Sequence, residues 1–521
     1  MRSSQLCLSA LVLASTALAG PQFHHRRDGS SNEERVEAVK EAYRTAWQGY
    51  YDYAFPNDTL HPVSNGYEND RNAWGVTAFD SLSASIILGD RESVNQILEF
   101  VPTIDFTTTA KSGESISLFE TNIRYFGGLL SVAHDLLTQA PWSDLVDDKS
   151  LVDNLLKQAV SLADSVKFAF DTPSGVPDPT IYLNPEPRRA GSSRNNIAEV
   201  GTLVLEWTRL SDLTGNPEYA QLAQKAESYI LKPTPESGEP FPGLTGTYLN
   251  LTDGAFIDSS GGWSGLTDSY YEYLIKMYLY DPEEFSFYKD RWVAAADSTI
   301  EYLASHPTSR EDITFLSQYQ GTQTIPSSSH LASFAGGNFI LGGILLNEQK
   351  YIDFGVTLAE SYFETYRGTA AKIGPEGFRW TDSKLPVDGT INTNPPAGQE
   401  AAYAEAGFWA TSKYYILRPE TTESLYYAYR VTGDKKYQDL AWEGFQAITA
   451  ATRTGSGYAG LTDVTVVNGG YVDKMESFFL TETLKYFYLI FSEDSEVQVH
   501  KDEPNKWVFN TEAHPVKIRG Y

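Results

Sequence analysis

Apolar and polar residues follow a helical rather than a strand periodicity over most of this chain. From residue 33 onward, apolar residues recur at intervals of three and four, as amphipathic and buried helices require. The pattern predicts helices over residues 33–54, 78–88, 91–101, 116–139, 149–169, 195–213, 217–231, 267–279, 285–304, 329–345, 348–366, 399–413, 421–432, 436–452 and 473–492. Short strand patterns occur at 464–467 and 507–509. The predicted fold class is therefore all-α with minor β-hairpins.

A loose internal repeat indicates how these helices are arranged. In two copies an acidic residue, Glu199 or Glu423, opens an apolar helix that ends at Thr-Gly, and a second helix follows. Gly215 and Gly433 suit the left-handed conformation that commonly ends a helix. Repeated helical hairpins predict a toroid of paired helices. The inner helix of each pair would point its N-terminal polar residue into a central cavity.

The N-terminus is typical of a secretory signal peptide. Arg2 supplies positive charge, residues 6–13 are apolar, and Ala17-Leu18-Ala19 is an A-x-A cleavage site. The apolar run is too short to span a bilayer. We expect a signal peptide over 1–19, an N-terminal segment open to processing over 20–32, and a single barrel domain over 33–521.

The composition favours a secreted, acidic protein. A net charge of −28 and a pI near 4.7 argue against nucleic acid and anionic membranes as partners. We find no later segment that could cross a membrane, and we expect a monomer. Cys7 lies within the predicted signal peptide, so the mature chain would have no disulfide and no cysteine metal ligand. Asn57 and Asn250 begin N-glycosylation sequons.

Acidic residues in apolar sequence form the candidate chemistry. Glu420 and Glu423 are three residues apart at the start of an apolar helix, so both carboxylates share one helix face. A charged first turn that complements the helix dipole would explain this pair alone. Similar acidic residues recur at Asp80, Glu120, Glu199, Asp268, Glu376, Glu482 and Glu512. Buried carboxylates are costly without partners, and stabilisation of helix dipoles would not explain nine such residues.

Simpler interpretations remain open for single residues. Glu120 and Arg124 are four apart, as in an ordinary surface pair, although their neighbours are apolar. His330 follows three serines and is more typical of a cap or a satisfied buried histidine than of a ligand. Glu482 lies in a very apolar helix, where a lone carboxylate would need partners.

Five ordered motifs resemble those of class I α-1,2-mannosidases, glycoside hydrolase family 47. They span nearly all of the chain after the predicted signal peptide, which itself resembles that of the secreted fungal branch. The motifs are residues 119–124, 267–273, 417–424, 475–479 and 509–515.

The resemblance implies an (α/α)7 barrel that cleaves α-1,2-linked mannose with inversion and uses Ca²⁺. It places the general acid on Glu120, the general base on Glu420 and a further essential carboxylate on Asp268. Which of Glu120 and Asp268 delivers the proton stays open. Thr511 matches the calcium-binding threonine. Residues that match the sugar subsite or hold calcium-bound water are Arg124, Glu199, His330, Glu376, Arg418, Glu423, Phe478, Glu482 and Glu512.

This assignment agrees with elementary chemistry. Inverting hydrolysis needs an acid and a base about 6.5–9.5 Å apart, on opposite faces of the sugar. Glu420 and Glu423 lie within one helical turn and cannot flank a sugar, so their roles should differ. Calcium takes about six to eight oxygen ligands, so water and substrate hydroxyls must add to those of Thr511.

Two positions depart from the family pattern. Most relatives have a disulfide whose first cysteine lies just after the histidine that matches His330, and this chain has none. Leu266 stands where members that remove one particular mannose have arginine, which implies broader trimming.

We expect a secreted enzyme that trims high-mannose N-glycans or mannose oligosaccharides towards Man5GlcNAc2, although processing of the Golgi type is also open. The alternatives are a lectin-like glycan-binding or quality-control protein and another inverting (α/α)-barrel glycosidase acting on glucans.

Overall fold

Helices make up most of the regular structure in the computed structural model, which describes residues 30–132, 136–138, 140–382 and 390–521. The predicted signal peptide, Cys7 and residues 20–29 lie outside the described residues. The α-helices are α1 (Asn32–Tyr53), α2 (Val76–Leu88), α3 (Arg91–Phe100), α4 (Leu118–Glu120), α5 (Gly127–Ser131), α6 (Asp153–Val166), α7 (Ile197–Gly201), α8 (Val204–Thr214), α9 (Glu218–Leu231), α10 (Asp268–Tyr280), α11 (Ser286–Ser298), α12 (Ala335–Leu346), α13 (Gln349–Arg367), α14 (Glu400–Ala406), α15 (Glu420–Thr432), α16 (Lys436–Thr452) and α17 (Leu484–Phe491).

Shorter helical turns extend or join these helices. Turns of π-helix lie at Thr121–Phe126, Thr299–Leu303 and Phe479–Thr483. The first of them makes α4 and α5 one continuous helix. Turns of 3₁₀-helix lie at Val101–Thr103, Trp142–Leu145, Lys149–Leu151, Lys167–Phe170, Glu236–Gly238 and Leu331–Phe334.

In the described part of the chain, seven inner helices form a closed ring, and each packs against an outer helix. The pairs are α2 with α3, α5 with α6, α8 with α9, α10 with α11, α12 with α13, α15 with α16, and α17 with α1. Neighbouring inner helices touch, and α17 returns to α2. Every residue of α2 is buried, whereas α1 buries only one stripe. The predicted (α/α)7 barrel is confirmed.

Short antiparallel strands occupy the connections between helices. They are β1 (Thr59–His61), β2 (Gly66–Glu68), β3 (Ile116–Ser117), β4 (Thr180–Tyr182), β5 (Arg188–Arg189), β6 (Arg194–Asn196), β7 (Tyr248–Asn250), β8 (Ser260–Gly261), β9 (Ala304–Ser305), β10 (Phe315–Leu316), β11 (Gln318–Gln320), β12 (Gln323–Ile325), β13 (Ser327–Ser329), β14 (Gly377–Arg379), β15 (Trp409–Ser412), β16 (Gly460–Leu461), β17 (Tyr471–Val472), β18 (Trp507–Phe509) and β19 (Pro515–Lys517). Their sheets are β1–β2, β3–β4–β5, β6–β7, β8–β11–β12, β9–β10, β13–β14–β15, β16–β17 and β18–β19.

The C-terminal hairpin β18–β19 inserts into the ring. Strand β18 packs on α10 and β19 on α5, and the tip between them includes the fully buried Ala513 and His514. Since the hairpin comes from the end of the chain, it can bring Thr511 inside a ring whose helices come from every other part of the sequence.

Two sequence predictions of local structure were wrong. The helix predicted over 399–413 ends at Ala406, because Gly407 adopts a left-handed φ of 82° and residues 409–412 then form β15. The strand predicted at 464–467 is a turn, in which the Asp463 carboxylate accepts a hydrogen bond from the Thr465 backbone N–H. The strand predicted at 507–509 is confirmed as β18.

The family resemblance implies a disulfide in most relatives just after the position of His330. In this chain, hydrogen bonds attach that region to helix α15. Ser333 is fully buried, and its hydroxyl lies 3.0 Å from the Thr421 hydroxyl. The Ser424 hydroxyl donates to the Ser333 carbonyl oxygen at 2.5 Å. This segment is therefore attached to the inner ring without a covalent link.

The two predicted glycosylation sites differ in their surroundings. The Asn57 side-chain nitrogen donates to the Ala54 carbonyl at 2.8 Å, and the sequon's Thr59 is buried. The Asn250 side-chain oxygen accepts from the Thr252 backbone N–H at 2.7 Å in a β-hairpin connection. Within the part of the chain that the structure describes, no helix is long and apolar enough to cross a membrane.

A close backbone contact between helices α12 and α13 generates a stability prediction. A Cβ atom on Gly355 of α13 would lie 2.5 Å from the Gly336 carbonyl oxygen of α12, so Gly355→Ala should lower the free energy of unfolding by about 1–3 kcal/mol. Gly444→Ala in α16 is the matched control, because its Cβ would make only ordinary contacts, with Phe363 at 3.5 Å and Phe487 at 3.9 Å. Helix propensity should make that change neutral or stabilising by up to about 1 kcal/mol. Denaturant unfolding followed by circular dichroism would measure both, and equal effects would contradict the packing argument.

Candidate active site

A cavity of about 340 Å³ lies where the inner helices begin. Every predicted catalytic, substrate-binding and metal-binding residue lines it except His330 and Glu376, which lie behind its wall. The lining residues are Phe119, Glu120, Ile123, Arg124, Asn196, Ala198, Glu199, Gly265, Leu266, Asp268, Ser269, Glu272, Leu331, Phe334, Arg418, Pro419, Glu420, Glu423, Phe478, Glu482, Thr511 and Glu512.

Helix starts aim the acidic side chains into this cavity. The Ser117 hydroxyl accepts a hydrogen bond from the Glu120 backbone N–H at 3.2 Å, which caps α4. Asn196 caps α7 in the same way, and its side-chain nitrogen also donates to the Glu199 carboxylate at 2.9 Å. Burial raises the pKa of Glu199. The capping residues thus fix the direction in which the Glu120 and Glu199 carboxylates point into the cavity.

Two arginines surround the Glu120 carboxylate. Its Oε2 lies 2.7 Å from Arg124 Nε and 3.5 Å from Arg71 Nε. Burial opposes ionisation, but the charges of Arg124 and then Arg71 hold the pKa of Glu120 at about 2. Arg124 also contacts Glu512 at 2.9 Å and packs against the Phe478 ring, with 5.6 Å from guanidinium carbon to ring centroid. Glu120 is therefore ionised in the free protein.

Glu420 is held ionised by a different set of partners. Its Oε2 lies 2.7 Å from His330 Nδ1, and its Oε1 lies 3.5 Å from Arg418 Nη1. Burial opposes ionisation, but His330 and then Arg418 lower the pKa of Glu420. Glu376 binds Arg418 through two parallel hydrogen bonds of 2.6 and 2.7 Å, and Tyr366 contacts the other histidine nitrogen at 2.8 Å. His330 and Glu376 thus act through the residues that they position.

Asp268 differs from both glutamates. Among the described residues it forms no ion pair, and its Oδ1 accepts from the Ser269 backbone N–H at 2.9 Å. Burial, together with the charges of Glu272 and Glu420, raises the pKa of Asp268 to about 7. The cavity therefore holds a carboxyl group that keeps a proton near neutrality alongside carboxylates that do not.

Three carboxyl groups, those of Glu423, Glu482 and Glu512, line the cavity together with Thr511, and these four residues are here called the floor. Burial and then the charge of Glu272 raise the pKa of Glu423 to about 8. Burial, and then the charge of Glu512, raise the pKa of Glu482 well above its usual value. The Glu512 Oε2 is buried without a hydrogen-bond partner.

This floor fits a hard cation better than it fits isolated acids. Oxygen donors are what Ca²⁺ prefers, and a cation would offset the repulsion among the carboxylates. In the described residues no group of three His, Cys, Asp or Glu side chains is placed to hold a metal directly. The floor residues fit an ion held by Thr511 oxygens and water, with Glu423, Glu482 and Glu512 around it.

A buried polar network holds the tip of the C-terminal hairpin. The Asn510 side-chain oxygen accepts from the backbone N–H groups of Glu512 and His514. Its nitrogen donates to Glu206 at 2.9 Å, and Glu206 also accepts from Tyr273 at 2.7 Å. Tyr273 in turn accepts from the Thr511 backbone N–H at 3.3 Å. The position of Thr511 therefore depends on several inner helices.

Sequence reasoning missed some residues of the site. Glu272 could have been found, because it lies four residues after Asp268 on the same face of α10. Arg71 and Glu206 reach the site only through the fold. They lie in segments without a recognised motif and far from their partners in the chain.

The fold is a helical barrel, and its cavity holds both ionised and protonated carboxyl groups, which is the arrangement that a glycosidase needs. The profile described as "Glycosyl hydrolase family 47" matches residues 42–518. The chain belongs to this family. It is 50% identical over 522 residues to the mannosyl-oligosaccharide alpha-1,2-mannosidase 1B of Aspergillus phoenicis, with 99% of each chain covered. It is 50% identical to the mannosyl-oligosaccharide alpha-1,2-mannosidase of Penicillium citrinum, with 98% of each covered. The solved alpha-1,2-mannosidase from Trichoderma reesei matches with a TM-score of 0.91 and 61% identity, covering 94% of this chain and 100% of that one.

Proposed function

We propose that this protein is a secreted, inverting α-1,2-mannosidase that trims high-mannose N-glycans. The observation that carries the mechanism is the contrast between two carboxyl groups of one cavity: Glu420 is held ionised, and Asp268 keeps its proton. The names and near-complete coverage of the relatives support the substrate class and favour an enzyme over a lectin-like protein or a glucan hydrolase. The predicted signal peptide supports secretion.

Glu420 is suited to the role of general base. His330 and Arg418 keep it ionised and fix both of its oxygens. An ionised carboxylate in a fixed orientation can take a proton from a water molecule as that water attacks the anomeric carbon. Attack from the face opposite the leaving oxygen inverts the configuration.

Asp268 is our candidate for the general acid. Its pKa of about 7 leaves the group protonated in mildly acidic medium, whereas the pKa of Glu120 of about 2 does not. The family resemblance placed the acid on Glu120. With two arginines beside it, Glu120 is better suited to orient Arg124 and Arg71 towards sugar hydroxyls. The pH dependence of Asp268 and Glu120 variants separates the two assignments.

Calcium is the proposed cofactor. Thr511 would hold the ion through its hydroxyl and carbonyl oxygens, and Glu423, Glu482 and Glu512 would bind its water ligands. When bound, the ion supplies a fixed positive charge that binds sugar hydroxyls. The carboxylates on this floor would then be able to stay ionised together.

Digestion of Man9GlcNAc2 tests the proposed function. Wild-type protein should release mannose, and NMR at early time should show the β-anomer from an α-linkage. Glu420→Gln should lower kcat by about two to four orders of magnitude, because a general base acts in the transition state. Glu37→Gln on outer helix α1 is a matched control that should keep normal turnover. Early α-mannose would exclude inversion, and a failure to release any mannose would contradict the proposed mannosidase activity.

The acid assignment predicts the pH dependence of kcat/KM. An acid with a pKa of about 7 loses its proton as pH rises, so the rate should fall above about pH 7. The base has a lowered pKa, so the acidic limb should lie below the usual range of a glutamate. Asp268→Asn should abolish the alkaline limb in the residual activity, and Glu120→Gln should retain it. The reverse result would return the acid role to Glu120.

Removal of calcium should lower both activity and thermal stability. An ion that binds only the folded state adds stability that grows with the logarithm of its concentration. EDTA should therefore lower the Tm, and Ca²⁺ should restore it. Thr511→Ala should weaken this Tm response, whereas Thr462→Ala, in an exposed loop, should not. A verified metal-free protein with unchanged Tm and activity would refute the calcium site.

Leu266 predicts broad trimming. It lines the cavity and is 47% exposed, so it leaves room for different glycan branches. Wild-type enzyme should pass the eight-mannose stage and approach Man5GlcNAc2. A charged arginine would bind one branch and exclude others, so Leu266→Arg should slow the later steps more than the first. Leu266→Met is the control of similar size. A wild-type time course that stops at one eight-mannose isomer would contradict this.

A further inference from the structure

An unpaired basic segment lies in this strongly acidic protein. Residues 188–194, here called the arginine loop, contain the exposed residues Arg188, Arg189 and Arg194. None of the three forms an ion pair with a described residue, although the chain carries a net charge of −28. Three guanidinium groups within seven residues repel one another. The many acidic side chains in the described part of the chain form no ion pairs that would offset this repulsion.

The acids nearest in sequence do not serve as counter-charges. The Asp178 carboxylate is occupied by the backbone N–H groups of Gly191 and Ser192, at 2.7 and 3.0 Å, and by the Ser192 hydroxyl at 2.8 Å. Glu186 is exposed and pairs with none of the arginines. Asp178 therefore shapes the loop, while the charges of the arginines remain available to a ligand.

Two of the arginines are ordered on tyrosine rings. The guanidinium carbon of Arg188 lies 3.8 Å from the ring centroid of Tyr182, and that of Arg194 lies 4.1 Å from that of Tyr248. Stacking uses the flat face of a guanidinium group and leaves its N–H edges free. Less side-chain entropy is then lost when those edges bind a planar or tetrahedral oxyanion.

The arginine loop borders the cavity. Arg194 and Asn196 are two residues apart on β6, so their side chains share one face about 7 Å apart. Asn196 lines the cavity, and Tyr248 lies opposite it in the β6–β7 pairing. A group bound at Arg194 would therefore lie next to a sugar held at the cavity mouth.

We propose that the arginine loop binds an oxyanion carried by the oligosaccharide itself, a phosphate ester close to the mannose in the cavity. The cavity is rich in carboxylates and would repel such a group, so it must be placed outside. The peptide is separated from a terminal mannose by the rest of the glycan, which favours an anion on the sugar. The inference rests on the proposed action on mannose oligosaccharides and adds acceptance of phosphorylated forms.

Binding of matched ligands tests this proposal. Calorimetry would compare neutral and monophosphorylated mannose oligosaccharides of the same branching, in Ca²⁺ buffer, with a Glu420→Gln background to prevent turnover. The phosphorylated ligand should bind about tenfold more tightly at low salt, as expected for charge-assisted hydrogen bonds. The preference should shrink at high salt. It should disappear when Arg188, Arg189 and Arg194 are all changed to Gln, and Arg44→Gln on α1 should keep it.

Each other outcome overturns the proposal. Equal affinities for the two ligands, or a preference that survives the triple change, would show that the arginine loop takes no phosphate. A neutral glycan on an acidic peptide serves as a third ligand, and a gain in affinity confined to it would place the anion on the peptide. Turnover of the neutral oligosaccharide by the wild-type protein tests the proposed enzyme separately, so failure of one claim is distinguishable from failure of the other.

Discussion

Repulsion between carboxylates that share one buried cavity is the constraint on which this site depends. Charges of one sign in a poorly solvated space cannot all persist without compensation. At the walls, Arg124 and Arg418 each contact more than one carboxylate and keep Glu120 and Glu420 ionised. At the floor, no arginine in the described part of the chain forms an ion pair with Glu423, and protons or a cation must offset its charge instead. Repulsion between carboxylates is therefore offset by arginines at the walls and by protons or a cation at the floor.

The barrel makes this crowding possible because most of its inner helices, or the short helical turns that lead into them, begin at the cavity. A helix start presents free backbone N–H groups and a positive dipole end, which favours nearby carboxylates. The connections must turn sharply to deliver each start. Leu266 and Leu417 adopt left-handed φ values of 76° and 68°, just before the helices of Asp268 and Glu420. Such conformations are unfavourable for residues other than glycine, and in a packed scaffold they occur where a site requires them.

The sequence predicted the helices well because their apolar periodicity is local information. It failed where tertiary context decided the outcome. Gly407 ended one predicted helix, and the strand pairing of residues 409–412 could not be seen locally. The motifs named most of the cavity wall, but they could not show that His330 and Glu376 act from behind it. Their positions depend on long-range contacts with Glu420 and Arg418, which periodicity does not encode.

The position of Thr511 links the chemistry of the site to closure of the ring. The hairpin tip is held through Asn510 by Glu206 of α8, and Glu206 also binds Tyr273 of α10 and Asn122 between α4 and α5, at 3.1 Å. These elements come from separate parts of the chain and meet only when the inner helices are assembled. Burial raises the pKa of Glu206 to about 7, and its three donors offset part of that cost. An ion bound at Thr511 would therefore stabilise the assembled ring, since an open ring has no floor to bind it.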